Sequence, residues 1–507
     1  MPRARLFLLV GLILFFFVGC NQAPDSSMSS SSGLNGTAQA SQVSLSMTDD
    51  PPNGVTVLFF QIDLTNAYLT PTSGSMNASL LNNNTPVQVD VTQLQAISAF
   101  LSTANVATGN YKSLTLTFAN PQLVIFNASD QAIASTCPLN TVCQLTPSID
   151  NSASLTFSSA PFPVSVAQNT PLGFLLDFHL NQVIQSDLSV NLAVANGVTV
   201  EQLPSAPPFG PPRFGFLAGT VEKVNSNPMQ FTLQTLDGRT FTIDVNSSTT
   251  YQNFPSSVCA MSAFSCLASG QMVQVQVASV EMDGTLLAAQ VSYVQAGSQQ
   301  VVEGNVLSLS TANGTTVMKL LLHWSPDGGL LPFGGLASVT VAPAATFSVD
   351  SNNFTIPSGL SFSSASDLLV GQEVSVDVVA GSLAKSATSR WAPHSVSFTT
   401  DTIELEPSQI TGLVGMINTS AASFTLTTFP NFFASWSKGN WPTWAPMTIT
   451  VDTASQTTYQ GLGTDSFSGL TTNSLVSVRG WLFSTPSGPT PSTQLAETVL
   501  GRPQRFF

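Results

Sequence analysis

Apolar and polar residues alternate along most of this chain with the period of β-strands. Val43-Ser44-Leu45-Ser46-Met47 alternates strictly, as a strand with one buried face does. Val55 to Leu69, Ser113 to Phe118 and Leu172 to His179 carry further strand signals. One stretch departs from the pattern. In Gln93 to Thr103, Leu94, Ile97, Phe100 and Leu101 fall at helical spacing, which predicts a short helix. Pro51 to Gly54 is turn chemistry after the first strand. Two segments have no such pattern. Asn21 to Gln42 is Ser, Gly, Ala, Asn and Gln and predicts a flexible tether. Pro204 to Gly215 is Pro-rich and predicts a stiff link between domains.

From Phe216 onward the pattern repeats. Leu217-Ala-Gly-Thr-Val221, Val302-Glu-Gly-Asn-Val306 and Ile410-Thr-Gly-Leu-Val414 open three units. Each unit then runs through a hairpin to a further strand: Thr242 to Val245, Ser338 to Val341, Thr448 to Val451. An aromatic follows each one: Tyr251, Phe347, Tyr459. Gly270-Gln-Met-Val-Gln-Val275 parallels Gly371-Gln-Glu-Val-Ser-Val376, and Asn473-Ser-Leu-Val-Ser-Val478 is the third copy without its Gly. The expected division is residues 1–19 signal peptide, 20–42 tether, 43–203 β-sandwich, 204–215 linker, and β-barrel repeats at 216–297, 298–408 and 409–507. Short or Pro-rich links suggest a rod of separate modules.

The N-terminus sets the address. Arg3 and Arg5 precede an apolar run from Leu6 to Val18, then Gly19 and Cys20. That is the layout of a secretory signal. As helix the run reaches only roughly 20 Å, short of a roughly 30 Å hydrocarbon core. Phe17-Val18-Gly19-Cys20 resembles the bacterial lipobox, with Phe17 where Leu is more usual. The resemblance implies that Cys20 carries lipid and becomes the first residue of an exported envelope protein. Asn21 instead of Asp points to the outer membrane where enterobacteria-like sorting operates. The remaining four Cys fall into close pairs, Cys137 with Cys143 and Cys259 with Cys266, which are candidate disulfides in an oxidising compartment.

Ser44-Leu-Ser-Met-Thr-Asp-Asp-Pro-Pro-Asn-Gly-Val55, with Val89-Asp90-Val91, Thr108 to Tyr111 and Leu176-Asp177-Phe178, resembles the bacterial domain of unknown function 4382. The chain departs from that family at Asp50, where Ala is common. The resemblance covers about 160 residues and implies an exported β-sandwich with no assigned activity. The repeats resemble another uncharacterised family, domain of unknown function 5666, and the first unit matches it best. That resemblance implies small barrels of the oligonucleotide-binding-fold kind.

Composition narrows the chemistry. Only 8% of the 507 residues are charged, and the net charge is −14. Nucleic acid and anionic lipid surfaces are therefore poor partners. No nucleophile elbow, Walker loop or H-E-x-x-H zinc site is present, and the three His lie far apart in sequence. No cofactor or metal is expected. Asp49 and Asp50 are weak candidates for a cation, and with Asp63 and Asp90 for paired carboxylates. The plainer reading of Asp49 and Asp50 is a Pro turn with local backbone bonds.

The second and third repeats hold long insertions where the first has the short turn Leu236 to Arg239. They run from His323 to Gly335 and from Phe429 to Pro446. Pro and Gly in them argue against regular structure. Trp324, Phe333, Phe432, Phe433, Trp436, Trp441 and Trp444 are candidates for an exposed apolar platform that binds glycan or an envelope protein. The competing reading is that these aromatics plug a barrel end or a domain junction. The sequence thus suggests a lipid-anchored, non-enzymatic binding protein. A passive spacer and a carboxylate-dependent hydrolase in the first domain are the alternatives.

Overall fold

A computed structural model describes residues 40–507 apart from 51–56, 75, 82–84, 95–98, 127–136, 139–141, 151, 186, 204–215, 255–258, 260–262, 296–299, 325–333, 352–353, 386–394, 429–434, 439–440, 444–447, 485–490 and 503–507. The signal peptide, Cys20, the tether up to Gln39, the turn Pro51 to Gly54 and the linker Pro204 to Gly215 lie outside the described residues.

The first domain is a sandwich of two sheets, as expected. One sheet has four strands in the order Val198–Leu203, Leu172–His179, Ala40–Asp50, Ala99–Ala107. Ala40–Asp50 runs parallel to Leu172–His179. The other sheet is built on the antiparallel pair Val57–Pro71 and Gly109–Phe126, flanked by shorter strands including Val87–Asp90. The period-two pattern explains the core. Leu45, Met47, Phe174, Leu176 and Phe178 face inward from the first sheet and Ile62, Leu64 and Phe118 from the second, all nearly free of solvent. Phe118 and Phe178 meet edge to face with centroids 5.5 Å apart. Each such ring removed from water contributes about 1.5–3 kcal/mol.

The three repeats fold as three five-stranded barrels with one topology. The first uses Phe216–Ser226, Met229–Thr235, Thr240–Asp244, Met272–Val280 and Leu286–Gln295. The second uses Gln300–Ala312, Thr315–Trp324, Leu336–Val349, Glu373–Val378 and Ser395–Glu406. The third uses Ser408–Asn418, Ser423–Thr428, Thr448–Gln460, Leu475–Ser484 and Pro491–Arg502. In each, the third strand closes the barrel by pairing in parallel with the fifth, which gives the order 1-2-3-5-4-1 of the oligonucleotide-binding fold.

Two repeated positions show why these sequences make this barrel. Gly219, Gly304 and Gly412 sit on the first strand, pressed against the second. A Cβ there would lie 2.3, 2.3 and 2.4 Å from the carbonyl oxygens of Gln234, Leu321 and Thr427. At the entrance to the fourth strand, Gly270, Gly371 and Asn473 take φ of +88°, +90° and +66°. Each of the three donates its N–H to the first strand, to the carbonyls of Val221, Val306 and Val414. The third repeat keeps the turn with Asn, the residue after Gly that best tolerates this conformation.

The structure corrects three expectations. The helix expected over Gln93 to Thr103 does not form. Val91–Leu94 is one 3-10 turn and Ala99–Ala107 is a strand. This strand is covered on both faces, Leu101 joining the sandwich core and Phe100 the core of the first barrel. Consecutive apolar residues are required there, and they imitate helical spacing. The modules also do not form a rod of separate units, because Gln39–Phe507 is one compact unit. Finally, the third insertion has regular structure, a two-stranded hairpin of Ser435–Lys438 with Trp441–Thr443.

Both expected disulfides are present, Cys137–Cys143 and Cys259–Cys266, each with Cα atoms 5.4 Å apart. No described helix is long and apolar enough to cross a membrane.

Candidate functional site

Asp90 to Leu94 and the pair Phe100 and Leu101 are where all three barrels meet the first domain. Arg239, in the short turn of the first barrel, reaches the carbonyl oxygens of Leu101 at 2.6 Å and Phe100 at 3.3 Å. Asp237 holds the same guanidinium at 2.7 Å. His323 of the second barrel binds Asp90 at 2.8 Å. From the third barrel, Gln409 bonds the carbonyl of Gln93 at 2.5 Å and Arg502 that of Leu94 at 3.3 Å. A cavity of about 280 Å³ lies at this junction, lined from all four modules.

Strand alternation explains the lining. On the second barrel Val302, Leu320, Leu322, Val374 and Val376 fill the interior. Their neighbours Glu303, His323 and Glu373 therefore point out of the barrel, and in this molecule outward means into the junction. Glu406 joins them and stands directly opposite Glu373 in the sheet register. Beside them Leu321 and Leu307 pack on Leu58, Phe59, Val124 and Phe126, the outer face of the sandwich.

His323 is the centre of the polar network. Its Nδ1 faces Asp90 Oδ2, and its Nε2 faces Asn305 Oδ1 at 2.5 Å. Both ring nitrogens thus address acceptors, the arrangement of an imidazolium. Burial by itself lowers the pKa of this ring. The bond to Asp90 and the charges of Asp90, Glu373 and Glu303 outweigh burial, and the net shift is upward. Asp90 is fixed in turn by the hydroxyl of Thr92 and by its backbone N–H at 3.1 Å.

The carboxyls around it are pushed the same way. Burial, opposed by a 2.7 Å bond from Gln274 and reinforced by Glu373 and Asp350, raises Glu303 to about 7. Burial raises Glu373 against the pull of His323 and Arg479. Burial and then Asp350, Glu303, Glu404 and Glu373 lift Glu406 well above the usual carboxylate range. On the third-barrel side Arg479 is paired with the buried Glu497.

The repeats provide an internal control. Where the second barrel has Glu303, the first and third have Ala218 and Thr411. Where it has the facing pair Glu373 and Glu406, the register puts Met272 with Gln295 and Leu475 with Arg502. The barrel fold does not need these carboxylates; only the second barrel has them.

Chemically, this is a site for holding charge and protons. Nε2 of His323 is engaged by Asn305, so the ring has no free nitrogen to act as a base toward a substrate. No group of three His, Cys, Asp or Glu among the described residues is placed to hold a metal ion.

The residues singled out from the sequence are distributed differently. Asp90 is in the junction, bonded to His323 and Thr92. Asp63 lies on the neighbouring strand and accepts from Asn120 at 2.8 Å. Asp49 and Asp50 end the first strand, opposite Phe178 and His179. Their side chains are outside the described residues, as are Phe333, Phe432, Phe433 and Trp444 altogether. Trp324 ends the second strand of the second barrel, and Trp436 and Trp441 sit on the hairpin of the third, but none of these three side chains is described. Toward the end of the second insertion Gly334 is described, and its carbonyl accepts from Gln144 of the sandwich at 2.5 Å. Sequence reading missed Glu303, Glu373, Glu406 and Arg479. In a chain this poor in charge, carboxylates restricted to one of three repeats were a signal that was available.

Residues 40–193 match the family model described as Domain of unknown function (DUF4382), and residues 218–292 match Domain of unknown function (DUF5666). The DUF4382 match covers the sandwich through most of its strands, and the DUF5666 match covers the first barrel. No curated protein matches the chain. Neither description assigns an activity, so the function rests on the sandwich–barrel junction and the insertions themselves.

Proposed function

We propose that this protein is a lipid-anchored component of the cell envelope, placed at the outer membrane through Cys20. In this reading it binds a glycan or another envelope protein and does no catalysis. Two disulfides support an extracytoplasmic location, because such bonds persist in oxidising compartments.

The observation that carries the binding reading is the hairpin Ser435–Thr443 of the third barrel. Its position corresponds to the strand 2–3 turn that docks on the sandwich through Arg239 in the first barrel and at Gly334 in the second. Among the described residues, the hairpin strands of the third barrel pair only with each other. It carries Trp436 and Trp441 on a segment that the sheet does not use. Indole rings on such a segment suit a sugar face or an apolar partner surface.

The test is retention of the full chain on immobilised envelope polysaccharide and on envelope extract, with Trp436→Ala and Trp441→Ala compared with the parent. Loss of retention at least tenfold, with unfolding temperature unchanged, supports binding through the hairpin. Unchanged retention, or no retention by the parent, returns the protein to a spacer. Cys20→Ser is expected to release the chain from the membrane fraction.

A further inference from the structure

We propose that the junction between the sandwich and the second barrel is a pH-operated latch, closed in mildly acid surroundings and loosened as the pH rises past neutrality. This goes beyond the binding reading and stands or falls separately from it.

Each cation at the cavity already has a carboxylate: Arg239 has Asp237, Arg479 has Glu497, and His323 has Asp90. Glu303, Glu373 and Glu406 remain. Glu303 has an amide partner in Gln274. Among the described residues Glu373 and Glu406 have no ion pair, and they face each other across two strands. Like charges set opposite in a sheet repel, and half-buried carboxylates at a module junction are screened less than on an open surface. The remaining acidic neighbours on the same barrel, Asp350 and Glu404, add to the repulsion. No cation site is built from these groups. Protons are the remaining means of neutralising them.

The sign of the effect is the same for every group. A carboxyl whose pKa is raised on closing takes up a proton on closing. Closure is fully favoured below the ordinary value of 4.5 and is lost as pH rises through the raised one, about 7 for Glu303. Glu373 and Glu406 are raised likewise. His323 is also raised, so its bond to Asp90 weakens in the same direction as the ring loses its proton. The three carboxyls therefore act from their ordinary value of 4.5 upward, Glu303 to about 7, and His323 acts in the same direction above its ordinary 6.5. The internal control makes this a property of one junction: the first and third barrels put Met272 and Leu475 where Glu373 stands.

The experiment is amide hydrogen exchange on the full chain at pH 5.5, 7 and 8.5, corrected for the intrinsic effect of pH. The reporter is Val87–Asp90, which carries Asp90, and the control is the third-barrel strand Ser423–Thr428, which does not line the cavity. We expect opening at Val87–Asp90 to rise at least about tenfold from pH 5.5 to 8.5. The control strand should change little. In the double variant Glu373→Gln with Glu406→Gln the rise should flatten, with the junction closed throughout. Should that variant fail to fold, Glu303→Gln alone should reduce the rise. A wild-type profile independent of pH, or a rise that survives the Gln substitutions, overturns the latch. So does closure at pH 8.5 restored by millimolar calcium or magnesium, which would make a metal cation the effector.

Discussion

Asn473 holds a φ of +66° at the turn where Gly270 and Gly371 hold +88° and +90°. A residue with a Cβ is disfavoured in this region, and Asn least among them. Asn473→Gly is therefore expected to stabilise the third barrel by up to about 1 kcal/mol, and Asn473→Val to destabilise it by about 1–2 kcal/mol. Urea unfolding of the full chain, followed by near-UV signal from the buried Trp481, checks both. Equal effects of Gly and Val would mean that the turn is not held by its φ. At this scale much of the repeat was legible. L-A-G-T-V, V-E-G-N-V and I-T-G-L-V marked the three openings, and the third copy of the later motif stood out by its lost Gly. What the sequence did not reveal was which side of the second barrel its extra carboxylates face. Alternation assigns Glu303 and Glu373 to the outside of a barrel, and only the docking of another module makes that outside an interior.

Strand Ala99–Ala107 shows the limit at the level of elements. Its sequence carries apolar residues at helical spacing, and it is a strand because two different cores claim its two faces, Leu101 for the sandwich and Phe100 for the first barrel. Periodicity reports how many faces are buried, and a strand clamped between two layers has no polar face to report. The clamp itself is polar. Arg239 spans the carbonyls of Phe100 and Leu101 and lies 5.4 Å from the Phe241 ring, which meets Phe100 edge to face. Charge-assisted bonds of this kind contribute about 1.5–3 kcal/mol each when buried. Arg239→Ala is expected to destabilise the docked first barrel by about 2–3 kcal/mol and to raise exchange in Ala99–Ala107. Arg239→Lys should restore less than half of that, because an ammonium lacks the planar fork that serves two carbonyls and Asp237 together. Full rescue by Lys would reduce the contact to simple charge attraction.

Across Gln39–Phe507 the question is whether the modules are joined or merely touching. Sequence predicted the sandwich and three barrels but not their docking, because docking surfaces are the outer faces of elements whose inner faces dominate the pattern. Val57–Pro71 illustrates this: Phe60, Ile62 and Leu64 serve the sandwich core, while Leu58 and Phe59 belong to a separate cluster with Leu307 and Leu321 of the second barrel. Phe59 is fully buried, lies 5.9 Å from the His323 ring, and has no place in the sandwich core. Gly334 presses on its ring closely enough that a Cβ there would sit 2.8 Å away. Removing this side chain should therefore break docking without breaking either module. Phe59→Ala is expected to lose about 3–5 kcal/mol of coupling, since the rigid surround cannot collapse into the gap. Phe59→Asp, which sets a carboxylate among Leu58, Val124, Phe126, Leu307 and Leu321, should separate the modules outright. Calorimetry reads the result. If docking couples the modules, the parent unfolds with the sandwich and second barrel in one transition, and Phe59→Asp splits it in two while far-UV signal is retained. A single transition merely shifted downward would mean that the sandwich needs the barrel to fold. The His323–Asp90 bond would then belong to one fold and not to a joint between two.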